Sequence, residues 1–327
     1  MLICPPLCWP KPIIGSADYP IHLLLPLAAS LLFVCGLLFV KRASQSGIGP
    51  WTVTMLTNFW AALLFSFVWI RGGEIPPWHY WWQPCVVAGL YILGQIFTFA
   101  AIEHGDVSVA TPIFGIKVIV VAVLLSLVAG QPLALATWGA VLLAFTGILL
   151  VQWTPRSPNR ISQQPADDTV SEDSRRFRRT ILTIIMAVSA ASCFGTFDVV
   201  VQNLAAKWGA GRLLPISFWI AGVLSIGFLP FTDHDPLRKS TRTTLLVGSF
   251  LVAAQALCLV FALGTFNDAA RINVVYTLRG VWGVVLAWIA ASIWGGAEAL
   301  LPKQTMLARL MGAGLLTAAV LIAILWG

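Results

Sequence analysis

Charge is scarce in this chain: of 327 residues only 33 are ionised at neutral pH, 20 Lys or Arg and 13 Asp or Glu, while 58% are apolar. A soluble domain carries about a quarter of its residues as charge, so a soluble fold is excluded. Long polar stretches are lacking as well. The longest, Trp153 to Arg179, has 27 residues, too few to bury a core of their own, which leaves no room for a soluble catalytic domain. Histidine is rare: His22, His79, His104 and His234 fall at or beyond the ends of apolar runs and show no metal-ligand spacing. A P-loop and an Asp-rich diphosphate motif are missing too. These absences exclude an ATP-driven pump, argue against an enzyme, and imply neither a cofactor nor a metal. Of the six cysteines, Cys35, Cys85, Cys193 and Cys258 lie in apolar runs and read as small buried hydrophobes, while Cys4 and Cys8 lie in a Pro-rich start. The net charge of +7 would suggest nucleic acid in a soluble protein. Here the basic residues sit mostly in loops between apolar runs, where they set orientation, so no nucleic-acid partner is expected.

What is present is apolar sequence in long runs. Bounded by Gly, Pro and charge, they predict ten helices near residues 21–40, 51–70, 83–101, 107–129, 133–152, 180–204, 213–231, 243–266, 269–293 and 309–326. About 20 residues span a bilayer, so ten spans consume most of the apolar residues. The four prolines of MLICPPLCWPKP interrupt any signal-peptide core, which makes the run near Ile21 a retained span. Trp51, Trp69, Trp81, Trp82, Trp153, Trp208 and Trp326 cluster at the run ends, as in an aromatic belt at headgroup level. The fold class expected is therefore an all-α polytopic membrane protein of ten transmembrane helices, in a cell membrane such as a bacterial inner membrane.

The Trp153 to Arg179 segment holds ten of the charges and divides five runs from five. An internal repeat accompanies that division. Ala28-Ala29-Ser30 recurs as Ala190-Ala191-Ser192 and Gly47-Ile48-Gly49 as Gly209-Ala210-Gly211, both 162 residues on, and Phe59-Trp60 recurs as Phe218-Trp219, 159 on. Gln95 pairs with Gln255, Ala101-Ile102 with Ala262-Leu263 and Lys117 with Arg279, at offsets of 160, 161 and 162. Gly139 to Leu143 resembles Gly312 to Leu316, 173 on. An odd number of spans per repeat forces the second half to enter the membrane inverted, the architecture of carriers that expose a midplane site alternately to each side. The organisation expected is a Pro-rich segment over 1–20, a first five-helix repeat over 21–152, a charged linker over 153–179 and a second repeat over 180–327.

The stretch Phe99-Ala-Ala-Ile-Glu-His-Gly-Asp-Val-Ser-Val-Ala-Thr-Pro-Ile113 resembles the third-to-fourth helix junction of EamA-type transporters of the drug/metabolite transporter superfamily. That resemblance implies ten spans in two inverted five-helix repeats and a Gly-Glu before the fifth or tenth helix. Here Gly296-Ala297-Glu298 approximates the Gly-Glu, and Gly130-Gln131 replaces the acid with an amide.

Three charges fall deep in the apolar runs. Lys117 has ten residues before it and twelve after it in its predicted span, about 15 Å from either end, beyond snorkelling reach. Arg279 lies about ten residues into the ninth run, so the repeat brings both cations near the midplane at matched positions. A cation left there costs about 3 kcal/mol even on lenient scales, so each needs a partner or a cavity. One reading is an Asp198 to Arg279 ion pair that holds helices together. The other is that Lys117 and Arg279 attract a carboxylate or phosphate from opposite halves, Arg as a bidentate fork and Lys as a point charge. Asp198 is then a coupling carboxylate or an ion-pair partner. Tyr276 and Gly283 flank Arg279 on its helix face, supplying a phenol and a gap. Gln95, Gln255, Trp60 and Trp219 are the remaining candidate substrate contacts, paired by the repeat, with packing between helices as the plainer role for each. Arg271, at the start of its run, is expected to reach the interface.

The cation pair is also similar to the phosphate clamp of the sugar-phosphate/phosphate translocators, relatives in the same superfamily. Their ninth-helix Lys-Arg pair is here Leu278-Arg279, one cation short. The function expected is secondary transport of a small anionic or zwitterionic metabolite, a carboxylate, amino acid or phosphorylated compound, by alternating access. Coupling to protons or exchange, and a monomer or homodimer in the lipid bilayer, fit this reading. A membrane scaffold or sensor that keeps the fold is the alternative. Counting Lys and Arg, four lie on the N-terminal face and thirteen on the other, which puts the linker in the cytoplasm and the termini outside. Relatives usually have the opposite sense.

Overall fold

The computed structural model describes residues 21–104, 113–152, 169–232, 239–294 and 303–326, and every regular element among them is helical. In chain order these are α1 (Leu24–Ser44), α2 (Pro50–Ser66), α3 (Trp82–His104), α4 (Lys117–Leu127), α5 (Leu135–Val151), α6 (Thr169–Trp208), α7 (Ala210–Leu224), α8 (Lys239–Phe266), α9 (Ala269–Tyr276), α10 (Arg279–Trp294) and α11 (Lys303–Leu325). Single 3-10 stretches carry α2 on to Arg71 and α7 on to Phe231. Seven helical stretches, Leu24–Ser44, Pro50–Arg71, Trp78–Ala101, Thr180–Trp208, Ala210–Phe231, Thr241–Phe266 and Leu307–Leu325, are long and apolar enough to cross a membrane. The chain is a multi-pass membrane protein.

The other three runs read from the sequence take shorter form. The run 107–129 contributes α4, 11 residues long, with positions 107–112 outside the described residues. The run 133–152 contributes the 17-residue α5. The run 269–293 is broken: α9 ends at Tyr276, Thr277 and Leu278 turn, and α10 restarts at Arg279. In the other direction α6, at 40 residues, is about twice the length a bilayer requires. Its first turns take in the charged end of the expected linker, where Glu172, Arg175, Arg176, Arg178 and Arg179 favour helix.

The turns explain why the glycines of the repeat sit where they do. Gly47, after α1, and Gly209, between α6 and α7, both have positive φ, +90° and +76°. This is the left-handed backbone that ends a helix and that only glycine adopts without strain. The two are 162 residues apart. Pro50 then opens α2 at its first position, where a missing N–H costs nothing.

Helix pairing follows small residues. The most extensively packed pairs are α1 with α8, α5 with α11 and α3 with α6, and α2 lies against both α8 and α7. In lipid there is little hydrophobic force between helices, so contact depends on close backbone approach. Between α5 and α11, Gly147 faces Gly312: a β-carbon on Gly312 would lie 2.6 Å from the Val151 nitrogen and 2.7 Å from the Gly147 oxygen. Gly36 and Gly248 do the same for α1 and α8, and Gly94 admits Phe194 between α3 and α6. Across α2 and α7, Phe65 and Phe218 stack with centroids 3.7 Å apart. Trp208, expected in the interfacial belt, is instead fully buried, its indole N–H donating to Gln83 Oε1 at 2.8 Å. Gln83 in the first turn of α3 and the neighbouring Trp81, whose ring meets it edge-on at 6.0 Å, cover it. Trp69, Trp81, Trp82 and Trp326 are exposed as a belt requires.

Candidate functional site

Both deep cations sit at the first residue of a helix that restarts after a two-residue turn. Before Lys117 the turn is Gly115-Ile116, and before Arg279 it is Thr277-Leu278. Three backbone hydrogen bonds repeat through the two turns at an offset of 162. Ile116 N–H donates to Ile113 O as Leu278 does to Val275, and Val118 donates to Gly115 as Gly280 does to Thr277. Val120 donates to Ile116 as Trp282 does to Leu278. A helix start carries partial positive charge, so each cation stands at an end that already favours anions.

The two cations differ in their partners. Lys117 Nζ lies 2.7 Å from Asp198 Oδ2 on α6, with the carboxylate side chain 1% exposed and the lysine 14%. Asn273 of α9 donates its Nδ2 to the same oxygen at 2.7 Å and also to Ala269 O at 3.0 Å. The ion pair considered from the sequence, Asp198 with Arg279, is thus corrected to Asp198 with Lys117. The reason is helix packing: α4 lies against α6, while the start of α10 lies against α1. Arg279 is part-buried between two rings, its Cζ 5.2 Å from the Phe33 centroid and 4.7 Å from that of Tyr276. Its Nη1 donates a long 3.5 Å hydrogen bond to the Tyr276 hydroxyl across the turn between α9 and α10. No carboxylate lies within ion-pair distance of it among the described residues.

A hydrogen-bonded column runs from this cluster to one end of the bundle. One turn beyond Asp198, buried Gln202 donates to Gln131 Oε1 at 3.0 Å and accepts the Ala269 N–H at 2.7 Å. Ala269 O in turn accepts from Asn273. At the α8–α9 corner Asp268 Oδ2 meets Arg271 Nε at 2.6 Å and His22 Nε2 at 3.2 Å, which fixes Arg271 outside the cluster. A half-open cleft of about 360 Å³ lined by Arg71, Gly72, Gln202, Gly209, Phe261 and Thr265 opens at this end.

The amide and indole candidates are placed unevenly. Gln95 forms a reciprocal amide pair with Asn58, two hydrogen bonds of 3.0 Å between α3 and α2. Gln255, its repeat mate on α8, is buried and makes no matching amide pair among the described residues. The Trp60 ring meets Phe250 edge-on at 5.4 Å with its indole nitrogen buried and unpartnered. Trp219 is 40% exposed and donates to Ser66 Oγ at 2.9 Å, on the outer side of the α2–α7 pair. The cluster therefore joins Lys117, Asp198, Tyr276 and Arg279, and does not bring in Trp219. A reading by charge passes over Asn58, Gln202 and Asn273. Each is a carboxamide inside an apolar run, but none has an amide 162 residues away to pair with as Gln95 has Gln255 at 160.

Residues 20–153 match the EamA-like transporter family. The match covers α1 to α5 and ends where the charged linker begins. It agrees with the resemblance carried by Phe99 to Ile113. Lys117, Gln95 and Trp60 lie within the matched residues, and Asp198, Tyr276 and Arg279 lie beyond them. No curated protein matches the chain. Among 29 matching chains of solved structures, one described only as the crystal structure of a protein shares the fold at 15% identity. Its TM-score is 0.64, over 95% of this chain and 100% of that one.

Proposed function

We propose that the chain is a secondary transporter of two inverted five-helix repeats that moves a small anionic or zwitterionic metabolite by alternating access. The observation that carries this reading is the matched pair of helix restarts at Lys117 and Arg279, with three hydrogen bonds in common at one offset. Packing supports it. Exchanging α1 to α5 for α6, α7, α8, the α9–α10 pair and α11 turns the α1–α8 contact into α6–α3 and the α2–α8 contact into α7–α3. It also turns α4–α6 into the contact of α9 and α10 with α1. Interrupted helices at a repeat interface are where carriers of this design hold their solutes. Arg279 and Tyr276 contact the solute in this reading, Lys117 with Asp198 tunes the site, and Gln95, Gln255, Trp60 and Trp219 belong to the helix pairs around it. The family match over residues 20–153 favours transport over a scaffold or sensor.

Counterflow in proteoliposomes tests it. Purified protein is loaded with carboxylates, amino acids and phosphate esters in turn, and exchange of labelled solute is followed. The reading predicts exchange of at least one class that is lost in Arg279→Ala and Lys117→Ala. Exchange that survives both substitutions, or no exchange of any class, overturns it. A pH gradient imposed in the same assay reads out coupling through Asp198.

A further inference from the structure

Resting on that transport reading, we propose that the site selects a solute with one net negative charge, a monocarboxylate, because Asp198 cancels one of the two deep cations. Lys117, Asp198 and Arg279 sum to a single positive charge. Asp198 is 1% exposed and its Oδ2 holds both Lys117 and Asn273 at 2.7 Å, so this carboxylate is built into the protein rather than offered to a ligand. A buried pair so bonded gives up its attraction only to a better partner.

The first half carries no such acid. The residue 162 before Asp198 is Gly36. A β-carbon there would lie 2.8 Å from Val252 Cγ2, 3.1 Å from the Val252 nitrogen and 3.2 Å from the Gly248 oxygen, so the α1–α8 contact excludes any side chain. The residue 162 before Gly195 is Phe33, whose ring covers one side of Arg279. The repeat thus exchanges an acid and a glycine on α6 for a glycine and an aromatic ring on α1. Rings on the guanidinium leave its in-plane N–H groups as the route to a ligand, the geometry that takes a carboxylate bidentately.

The three alternative charge types fit less well. A dianion at this site leaves one negative charge uncompensated and part-buried, and a neutral solute leaves the cation so. A zwitterion's ammonium needs an acceptor, and the cluster's one described carboxylate is already engaged by Lys117 and Asn273. A monocarboxylate neutralises the site.

The test measures binding by thermal shift and exchange by counterflow for two matched probe sets. These are propionate, alanine, succinate and propyl phosphate, and benzoate, phenylalanine, phthalate and phenyl phosphate. In the wild type, the monocarboxylate of a set should bind about tenfold or more tighter than its other members. Asp198→Asn, which raises the sum to two positive charges, should move the preference to the dianions by a similar factor. Lys117→Ala, with no net charge, should lose anion binding, and Lys117→Ala with Asp198→Asn, which restores the wild-type sum, should regain monocarboxylate binding. Equal wild-type affinity for monoanions and dianions overturns the inference, as does an unchanged preference in Asp198→Asn. If that single variant does not fold, the wild-type ranking and the double variant decide. Exchange that persists without charge selectivity sinks this inference and leaves the transport reading standing. Failure of the wild type to bind or exchange any probe overturns both.

Discussion

Asp198 and Gly36 stand 162 residues apart, the offset that also separates Lys117 from Arg279, and the first is a buried carboxylate where the second has no room for a β-carbon. The charge asymmetry of the cluster is therefore enforced by packing between α1 and α8. Gly36→Ala should cost about 1–3 kcal/mol, since the crowding atoms include backbone on α8 that cannot swing aside. Gly36→Asp should cost more. Thermal unfolding in detergent checks both, and a Gly36→Asp protein as stable as wild type would refute the steric argument.

Removing one member of a buried ion pair is worse than removing both. Lys117→Ala leaves Asp198 buried with Asn273 as its remaining described partner, and should cost about 3–5 kcal/mol. Adding Asp198→Asn removes the stranded charge and should recover most of that loss. A double-mutant cycle on melting temperatures measures the coupling. Additive losses in the cycle would contradict the pairing.

Arg279 behaves in the opposite way because it strands no charge when removed. Arg279→Ala gives up ring contacts with Phe33 and Tyr276 worth about 0.5–2 kcal/mol together, so the protein should fold while exchange is lost. Arg279→Lys keeps the charge and loses the planar fork, and should retain exchange with weakened affinity. Melting and counterflow, read together, separate the stability effect from the transport effect.

The amino-acid pattern made the membrane class legible through its lack of charge, and the repeat made Lys117 and Arg279 legible as a pair. The interruption before each cation was not legible, because Gly115-Ile116 and Thr277-Leu278 contain no proline and sit inside continuous apolar runs. The partner of Asp198 was not legible either. Sequence spacing relates residues along one helix, whereas the choice between Lys117 and Arg279 depends on which helix packs against α6. Trp208 was misplaced for a similar reason: a tryptophan at a helix end faces headgroups only if no other element packs over it, and here the start of α3 does.

The last prediction concerns the reciprocal pair Asn58–Gln95, which ties α2 to α3 through two 3.0 Å hydrogen bonds. Asn58 is buried and Gln95 part-buried, so replacing either by leucine strands an amide inside the bundle. Each single substitution, Asn58→Leu or Gln95→Leu, should cost about 1–2 kcal/mol. The double substitution removes the reciprocal donors and acceptors together and should recover most of that loss, the Tyr91 hydroxyl, which also bonds Gln95, being the one group left without its partner. If Gln95 instead contacts solute directly, the double variant would recover stability yet lose exchange. If it serves only to join the helices, stability and exchange should return together in the double variant.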